Sequence, residues 1–432
     1  GVRLVGSEMC IRDRDKDAKI IIFGLGYVGL KLFLQLKKNK YHVKGFDTDK
    51  DKIKLLQKLK SPISYIKNKE IKKNFDKNSL VDNLSTLVSF DIIILCLPTP
   101  LTKRNRPDLS AIKNCMKNIQ KYLKKNQFLI LESTSYPGTT KEIIKPFIDK
   151  RKLKIGEDFF LGYSPERDDP GSKFEFSKIT KICSGITKNC KTLCSLFYSK
   201  IVDKTIIAES TDYAEFSKLY ENIYRSINIG FVNEMKIISK KMGYNIYEII
   251  RLAKSKPYGF KAFYPGPGVG GHCIPIDPYY LSWKAGKFGI KTKFIELAGK
   301  VNIETTNWIY RSIIKKINKK SKILLLGIAY KKNINDHRES AGMKLFQKFI
   351  EQKYDIKYSD KFISKVSFNI NKKDRVIKSI DFNKNSINKY DCVIIATDHD
   401  YFDYKMILNS KKIIYDTRGR FKKISSPNIF NL

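Results

Sequence analysis

The 432-residue chain has no apolar run approaching the ~18 residues that a membrane-spanning helix needs. Its first residues show no charged start, apolar core and small-residue cleavage site, so no secretory leader is read there. The expectation is a cytoplasmic protein with no membrane partner. The eight cysteines include no CxxC pair, and Cys190 and Cys194 are not accompanied by a histidine cluster. A disulfide framework and a metal centre are therefore not expected, and the thiols read as reduced. There is also no basic tail, no RNP-like motif and no zinc-finger spacing. The formal charge of +41 thus lacks the features of a nucleic-acid surface. Its lysines are spread along the whole chain, which reads as a compositional excess on solvated faces. An anionic substrate would still gain from the field.

What is present is α/β patterning at both ends of the chain. A short apolar strand, Ile20–Phe23, runs into Gly24, Gly26 and Gly29, and a helix follows with Leu30, Phe33, Leu34 and Leu36 as apolar positions. GxGxxG in strand–turn–helix context binds a dinucleotide: the turn lets a pyrophosphate approach and the helix N-terminus attracts it. A second strand, HVKGFD, ends in Asp47, near the ~20-residue spacing of a ribose-binding acid. That carboxylate favours NAD, while Lys50 and Lys52 keep NADP open. DIIILCLPTP and FLILESTSYPGTT continue the sheet, and place Thr99, Glu132, Ser133 and Thr134 at strand ends, where a nicotinamide would reach. FLGYSPERDDPG brings Glu166 and Arg167 after another strand.

A long helix is predicted over Asp212–Met242, with Phe216, Leu219, Ile223, Ile227, Phe231, Met235 and Ile238 as its apolar positions. Lys218, Asn222 and Arg225 share a different face. A lysine and an amide one turn apart suit an oxyanion or a substrate hydroxyl, although a helical lysine is more often solvated. Helices over Tyr247–Ala253 and Phe294–Ile317 follow, with FYPGPGVGGHCIPIDPYYL inserted between them. There, Gly266, Gly268, Gly270 and Gly271 permit positive φ and close approach to a ligand, Pro265 and Pro267 stiffen the loop, and Cys273 precedes Asp277 by four residues. A thiol so restrained suits a nucleophile, with adjacent His272 as one group able to lower its pKa. The last third is a second α/β unit that lacks the glycine fingerprint. Its first loop carries Lys331, Lys332 and Arg338, which suit a nucleotide diphosphate held by side chains.

The expected fold class is α/β: two Rossmann-like doubly wound domains joined by a central helical domain. The boundaries read from the sequence are a tail at 1–17, an NAD-binding domain at 18–208, a helical domain carrying the Cys loop at 209–318, and a second Rossmann-like domain at 319–432. Residues 1–17 fit no element. They read as an unstructured tail or as extraneous sequence, and no function attaches to Cys10.

The ordered segments GLGYVGL, LPTP, ESTSYPGTT, GYSPER, AEFSKLYEN, PGPGVGGHCIPIDPYYL, GIAYKKNINDHRES and DTRG resemble the UDP-sugar 6-dehydrogenase family, the UDP-glucose and UDP-N-acetylhexosamine dehydrogenases. The resemblance runs from about Lys19 to the C-terminus. SPERDDPG and KPYGFKAFYPGPGVGGHCIPIDPYYLSWKA are most similar to the UDP-N-acetylglucosamine branch, which supplies uronic acids for surface polysaccharide. The resemblance implies a four-electron oxidation of the sugar's 6-hydroxyl with NAD, through a Cys273 thiohemiacetal and thioester. Lys218 and Asn222 would stabilise the oxyanion, Asp277 would position water or act as base, and Glu166 would assist hydrolysis. Which of Lys218, Asp277 and Glu166 moves the first proton stays open. Tyr27 and Val28 would join the glycines, Asp47, Thr99, Glu132, Thr134 and Arg338 at NAD. Arg167, Phe263, Tyr264, Gly270, Lys331 and Arg418 would join Glu166, Lys218 and Asn222 at the UDP-sugar. A homodimer or larger assembly through the central helices is also implied.

Three departures stand out. Lys31 occupies a position the family usually gives to Pro, with little effect expected. Asn333 and Asn335 replace acids common in their loop, and Pro257 stands where the UDP-glucose branch has an arginine, which favours an acetamido sugar. Two other readings remain: a two-electron NAD-linked dehydrogenase with no use for Cys273, and a basic NAD-sensing or nucleic-acid-associated protein.

Overall fold

The computed structural model describes residues 17–76, 78–169, 171, 174–370 and 373–432. The expected tail, apart from Asp17, lies outside them, as does Pro170 of the SPERDDPG segment. The chain divides into two compact units, residues 1–221 with 279–290 and residues 222–278 with 291–432.

The first unit is built on β1 (Lys19–Phe23), α1 (Gly29–Lys38), β2 (His42–Phe46), β3 (Ile92–Leu95), β4 (Gln127–Leu131) and β5 (Phe159–Tyr163). The apolar runs are continuous rather than alternating because the central strands are buried on both faces. The order is β2-β1-β3-β4-β5, all parallel. The order reverses between β1 and β3, the place where open α/β sheets bind ligands. Beyond β5 the sheet gains β6 (Lys181–Gly185), antiparallel to β5, and β7 (Thr205–Ile207), with α2 (Lys188–Ser199) between them. The sequence reading did not find these three elements.

The helical middle comprises α3 (Thr211–Lys241), α4 (Ile246–Ala253), α5 (Asp277–Gly286) and α6 (Lys293–Ile314). α5 was not foreseen; it begins at Asp277, so this acid starts a helix rather than sitting in a loop. The single apolar stripe expected on α3 needs correction. Leu219 and Ile223 are buried, but Phe231 is 58% exposed and Phe216 and Ile238 are also exposed.

The second sheet contains β8 (Lys322–Leu326), β9 (Asp355–Ser359), β12 (Cys392–Ile395), β13 (Ile413–Asp416) and β14 (Ile429–Asn431), with α7 (Ala341–Glu351) after β8. A separate hairpin pairs β10 (Lys365–Ile370) with β11 (Lys373–Lys378). The order β9-β8-β12-β13-β14, again parallel, repeats that of the first five strands. The likeness reaches single residues. Asp91 accepts from Lys19 N at the start of β1, and Asp391 accepts from Lys322 N at the start of β8. Asp47 accepts from Leu25 N, and Asp360 accepts from Ile328 N and Ala329 N. Gly24 and Gly327 both have positive φ, and a Cβ on either would lie within 2.4 Å of a carbonyl oxygen of the neighbouring crossover. Gly29 and Gly342 each sit against the carbonyl of those glycines. The fingerprint judged missing from the second unit is therefore interrupted: its first and last glycines persist, and the loop carrying Lys331 and Arg338 is inserted between them.

Candidate active site

The glycine turn of the first unit suits a dinucleotide. A Cβ on Gly26 would meet nothing within 4 Å, so the backbone is open to a close ligand. Val28, at the N-cap of α1, supplies no side-chain acceptor, so the helix's first N–H groups are not capped by its own side chain. Asp47 stands at the end of β2 and accepts from Leu25 N (2.7 Å) and Asp49 N (2.9 Å), while Lys52 pairs with it at 2.6 Å. These residues fit NAD. Beside the turn, Tyr27, Val28, Lys31, Tyr65, Glu166 and Asp168 line one small hollow, which brings the glycine turn and the SPER segment together. Lys31 ion-pairs with Asp168 across it, a role that Pro could not fill.

The strand-end residues divide. Thr134 is half-buried and Thr99 buried. Ser133 ties its hydroxyl to Leu97 N. Glu132, expected at a nicotinamide, has both oxygens engaged in the interior, one by Lys181 at 3.1 Å and the other by the Tyr198 hydroxyl. Glu166 joins the same cluster through Lys181 at 3.3 Å. Burial presses both carboxyls upward. Glu132 ends above the usual range, whereas Lys181, the Asp168 N–H and Lys218 bring Glu166 below it. Arg167 does not form an ordinary surface pair with its neighbour; it reaches Glu221 and the Thr180 carbonyl. Lys218 is only 6% exposed, so the solvated face usual for a helical lysine does not apply.

In the second unit Asn222 is fully buried. Its amide nitrogen donates to Asp277 and its oxygen accepts from Arg225, so Arg225 fixes which way the amide faces. Asp277 is placed by a turn on Cys273, whose carbonyl accepts from Ile276 N (3.1 Å) and Asp277 N (2.8 Å). Cys273 is half-exposed. The adjacent His272 is not a source of positive charge for it. Burial, and then Arg338, lower the His272 pKa to about 4, so the imidazole is neutral at physiological pH.

The loop's glycines serve packing more than expected. Gly268 and Gly271 take positive φ, but Gly266 and Gly270 do not. A Cβ on Gly270 would lie 2.8 Å from Tyr330 and 3.0 Å from the Glu339 carbonyl, and Gly271 N donates to Arg338 O. The Cys loop thus lies directly on the Lys331–Arg338 loop. Arg338 is clamped by Asp336, Lys332 pairs with Asp400, and buried His399 accepts from Asn333 N. Arg418 donates to Ala396 O and abuts Gly266. Phe263 packs edge-on against Tyr224, and Tyr264 is exposed. Among the described residues, no group of three or more His, Cys, Asp and Glu side chains could hold a metal, and no helix is long and apolar enough to cross a membrane.

The sequence matches three consecutive profiles of the UDP-glucose/GDP-mannose dehydrogenase family: the NAD binding domain at residues 18–202, the central domain at 212–304 and the UDP binding domain at 324–423. It is 34% identical over 358 residues to the UDP-N-acetyl-D-glucosamine 6-dehydrogenase of Pseudomonas aeruginosa, covering 81% of this chain and 84% of that one. It is 30% identical over 415 residues to the UDP-N-acetyl-D-mannosamine dehydrogenase of Methanocaldococcus jannaschii, covering 93% and 92%. Its fold is similar to the solved UDP-D-ManNAc dehydrogenase of Pyrococcus horikoshii, with a TM-score of 0.81 and 27% identity over 96% of this chain and 98% of that one.

Proposed function

We infer the reaction from one premise: the chain belongs to the UDP-glucose/GDP-mannose dehydrogenase family. It oxidises the 6-hydroxyl of a UDP-sugar to the uronate in two two-electron steps. The proposed substrate is UDP-N-acetylglucosamine, supported by the Pseudomonas relative and by Pro257 in place of the arginine of the UDP-glucose branch. The mannosamine relatives support UDP-N-acetylmannosamine as the second reading.

The observation that carries the mechanism is the turn from half-exposed Cys273 to Asp277, where Asp277 is hydrogen-bonded to buried Asn222. NAD, when bound at the glycine turn, supplies the hydride acceptor, used twice. Asp277 or a neighbour takes the hydroxyl proton as the first hydride leaves. The Cys273 thiolate then adds to the aldehyde, which retains a reactive intermediate. An Asn amide has two N–H donors, of which one is spent on Asp277. The second, with the Lys218 ammonium, suits the alkoxide of the thiohemiacetal. Loss of the second hydride leaves a thioester. Water adds to its carbonyl carbon, the C–S bond breaks, and Cys273 departs as thiolate. In total one alcohol, two NAD⁺ and one water give a carboxylate, two NADH and three protons. Lys331 and Arg418 are proposed contacts of the UDP-sugar, and Arg338 of NAD. The exposed Tyr213, Tyr220, Phe231, Phe294 and Leu297 of α3 and α6 support a second copy of this chain as the partner of the helical region.

The test is NADH formed per sugar consumed, on UDP-glucose, UDP-GlcNAc, UDP-GalNAc and UDP-ManNAc. Two NADH per sugar, one preferred sugar, and loss of the uronate in Cys273→Ala are expected. One NADH per sugar, or a fully active Cys273→Ala, would refute the thioester route.

A further inference from the structure

Lys181 opens β6 and is only 2% exposed. Its ammonium lies 3.1 Å from Glu132 and 3.3 Å from Glu166, and the Tyr198 and Phe176 rings flank it at 5.0 and 5.9 Å. A lysine is almost never this buried unless paired. The other Glu166 oxygen accepts from Arg167 N (2.8 Å) and Asp168 N (2.6 Å). Both oxygens of Glu166 are thus tied, one by its own backbone turn and one by Lys181. The second oxygen of Glu132 is held by Tyr198.

Two carboxylates here share one ammonium. Without it, like charges at this separation in a buried setting cannot both persist, and one carboxyl takes a proton or turns away. The proton falls to Glu132, already above the usual range, while Glu166 loses the partner that fixes its second oxygen. We propose that Lys181 is a positioning residue for the hydrolytic half of the reaction, fixing the Glu166 carboxylate in the orientation that takes the proton of the hydrolytic water. This rests on the thioester reading above. In that step the water oxygen bonds to the acyl carbon, sulfur leaves with the C–S electron pair, and the water proton passes to the Glu166 carboxylate. On this proposal the proton of the first oxidation goes to Asp277 or Lys218 and not to Glu166.

Lys181→Met therefore separates the two halves. Rapid mixing with NAD and the preferred UDP-sugar gives a burst approaching two NADH per Cys273, followed by a steady rate about a hundredfold below the parent. Intact-mass measurement shows the acyl adduct on Cys273, removed by hydroxylamine. Glu166→Gln gives the same burst and adduct, and Lys181→Arg returns the steady rate to within tenfold. The double variant Glu132→Gln/Lys181→Met removes the unpaired interior charge. It recovers the melting temperature of the parent, but its hydrolysis stays slow.

The inference is overturned if Lys181→Met turns over within threefold of the parent. It is also overturned if that variant is slow with neither burst nor adduct, or if the double variant hydrolyses normally, which would leave Lys181 a charge-balancing role only. A parent enzyme that yields one NADH per sugar would instead refute the thioester route itself, whatever the variants do.

Discussion

Lys236 lies inside the second unit, 3% exposed, with its ammonium 3.3 Å from the Gly266 carbonyl and 3.5 Å from that of Thr417. Burial lowers its pKa from the ordinary 10.5 to about 7; Asp416 draws it back upward, and Arg418 and Lys240 press it further down. At about 1.36 kcal/mol per pH unit this difference corresponds to on the order of 5 kcal/mol of destabilisation while the folded lysine must carry its proton. The unfolded chain binds more protons than the folded one between about pH 7 and 10.5, so stability rises with pH across that window. Replacing Lys236 by Met removes the charging cost and leaves two carbonyls without their donor, a loss of roughly 1–3 kcal/mol. Near pH 7 the variant is expected to be more stable than the parent by ~2 kcal/mol. The advantage should shrink by about 2 kcal/mol between pH 7 and 9, as the parent's folded lysine sheds its proton while the unfolded one keeps it. Urea unfolding of both proteins at pH 6, 7, 8 and 9 measures the difference directly. A difference that does not change with pH, or a variant less stable than the parent at pH 6, would refute the assignment of a costly buried ammonium.

Gly26→Ala should leave the melting temperature within about two degrees and weaken NAD binding at least tenfold by calorimetry, because its Cβ meets only the space the ligand needs. Gly24→Ala should instead lose stability, since its Cβ would lie 2.3 Å from the Cys96 carbonyl at φ +92°. Asp47→Ser should shift the kcat/KM ratio toward NADP by about tenfold or more, as the loss of the carboxylate leaves Lys52 unpaired. An unchanged ratio would show that Asp47 does not face the ribose.

The parallel sheets were legible because strands buried on both faces leave unbroken apolar runs such as IIIF and IIIL, and because Gly24, Gly26 and Gly29 mark a turn that few other sequences make. Lys218, Asn222, Cys273 and Asp277 stood out by spacing. Lys181 did not: in a chain with 84 Lys and Arg residues, nothing local separates KITKICSG from a surface segment. Its partners come from 15 and 49 residues away, and the pairings of β4 with β5 and of β5 with β6 bring them together. α5 was hidden by the Gly- and Pro-rich loop before it, whose composition masks the helix that starts at Asp277. His272 misled for a related reason. Adjacency to Cys273 suggested a nearby proton, but burial decides its charge, and burial is not a local property.

The doubled frame has a consequence for how such a chain can change. In both sheets an aspartate after the second strand and a glycine after the first hold the crossover in the same shape. One copy has four residues between Gly24 and Gly29; the other has fourteen between Gly327 and Gly342. The turn is therefore a cassette: its ends are fixed by the scaffold and its contents are not. Ligand preference can drift by lengthening or recharging that one segment while every strand register stays where it is.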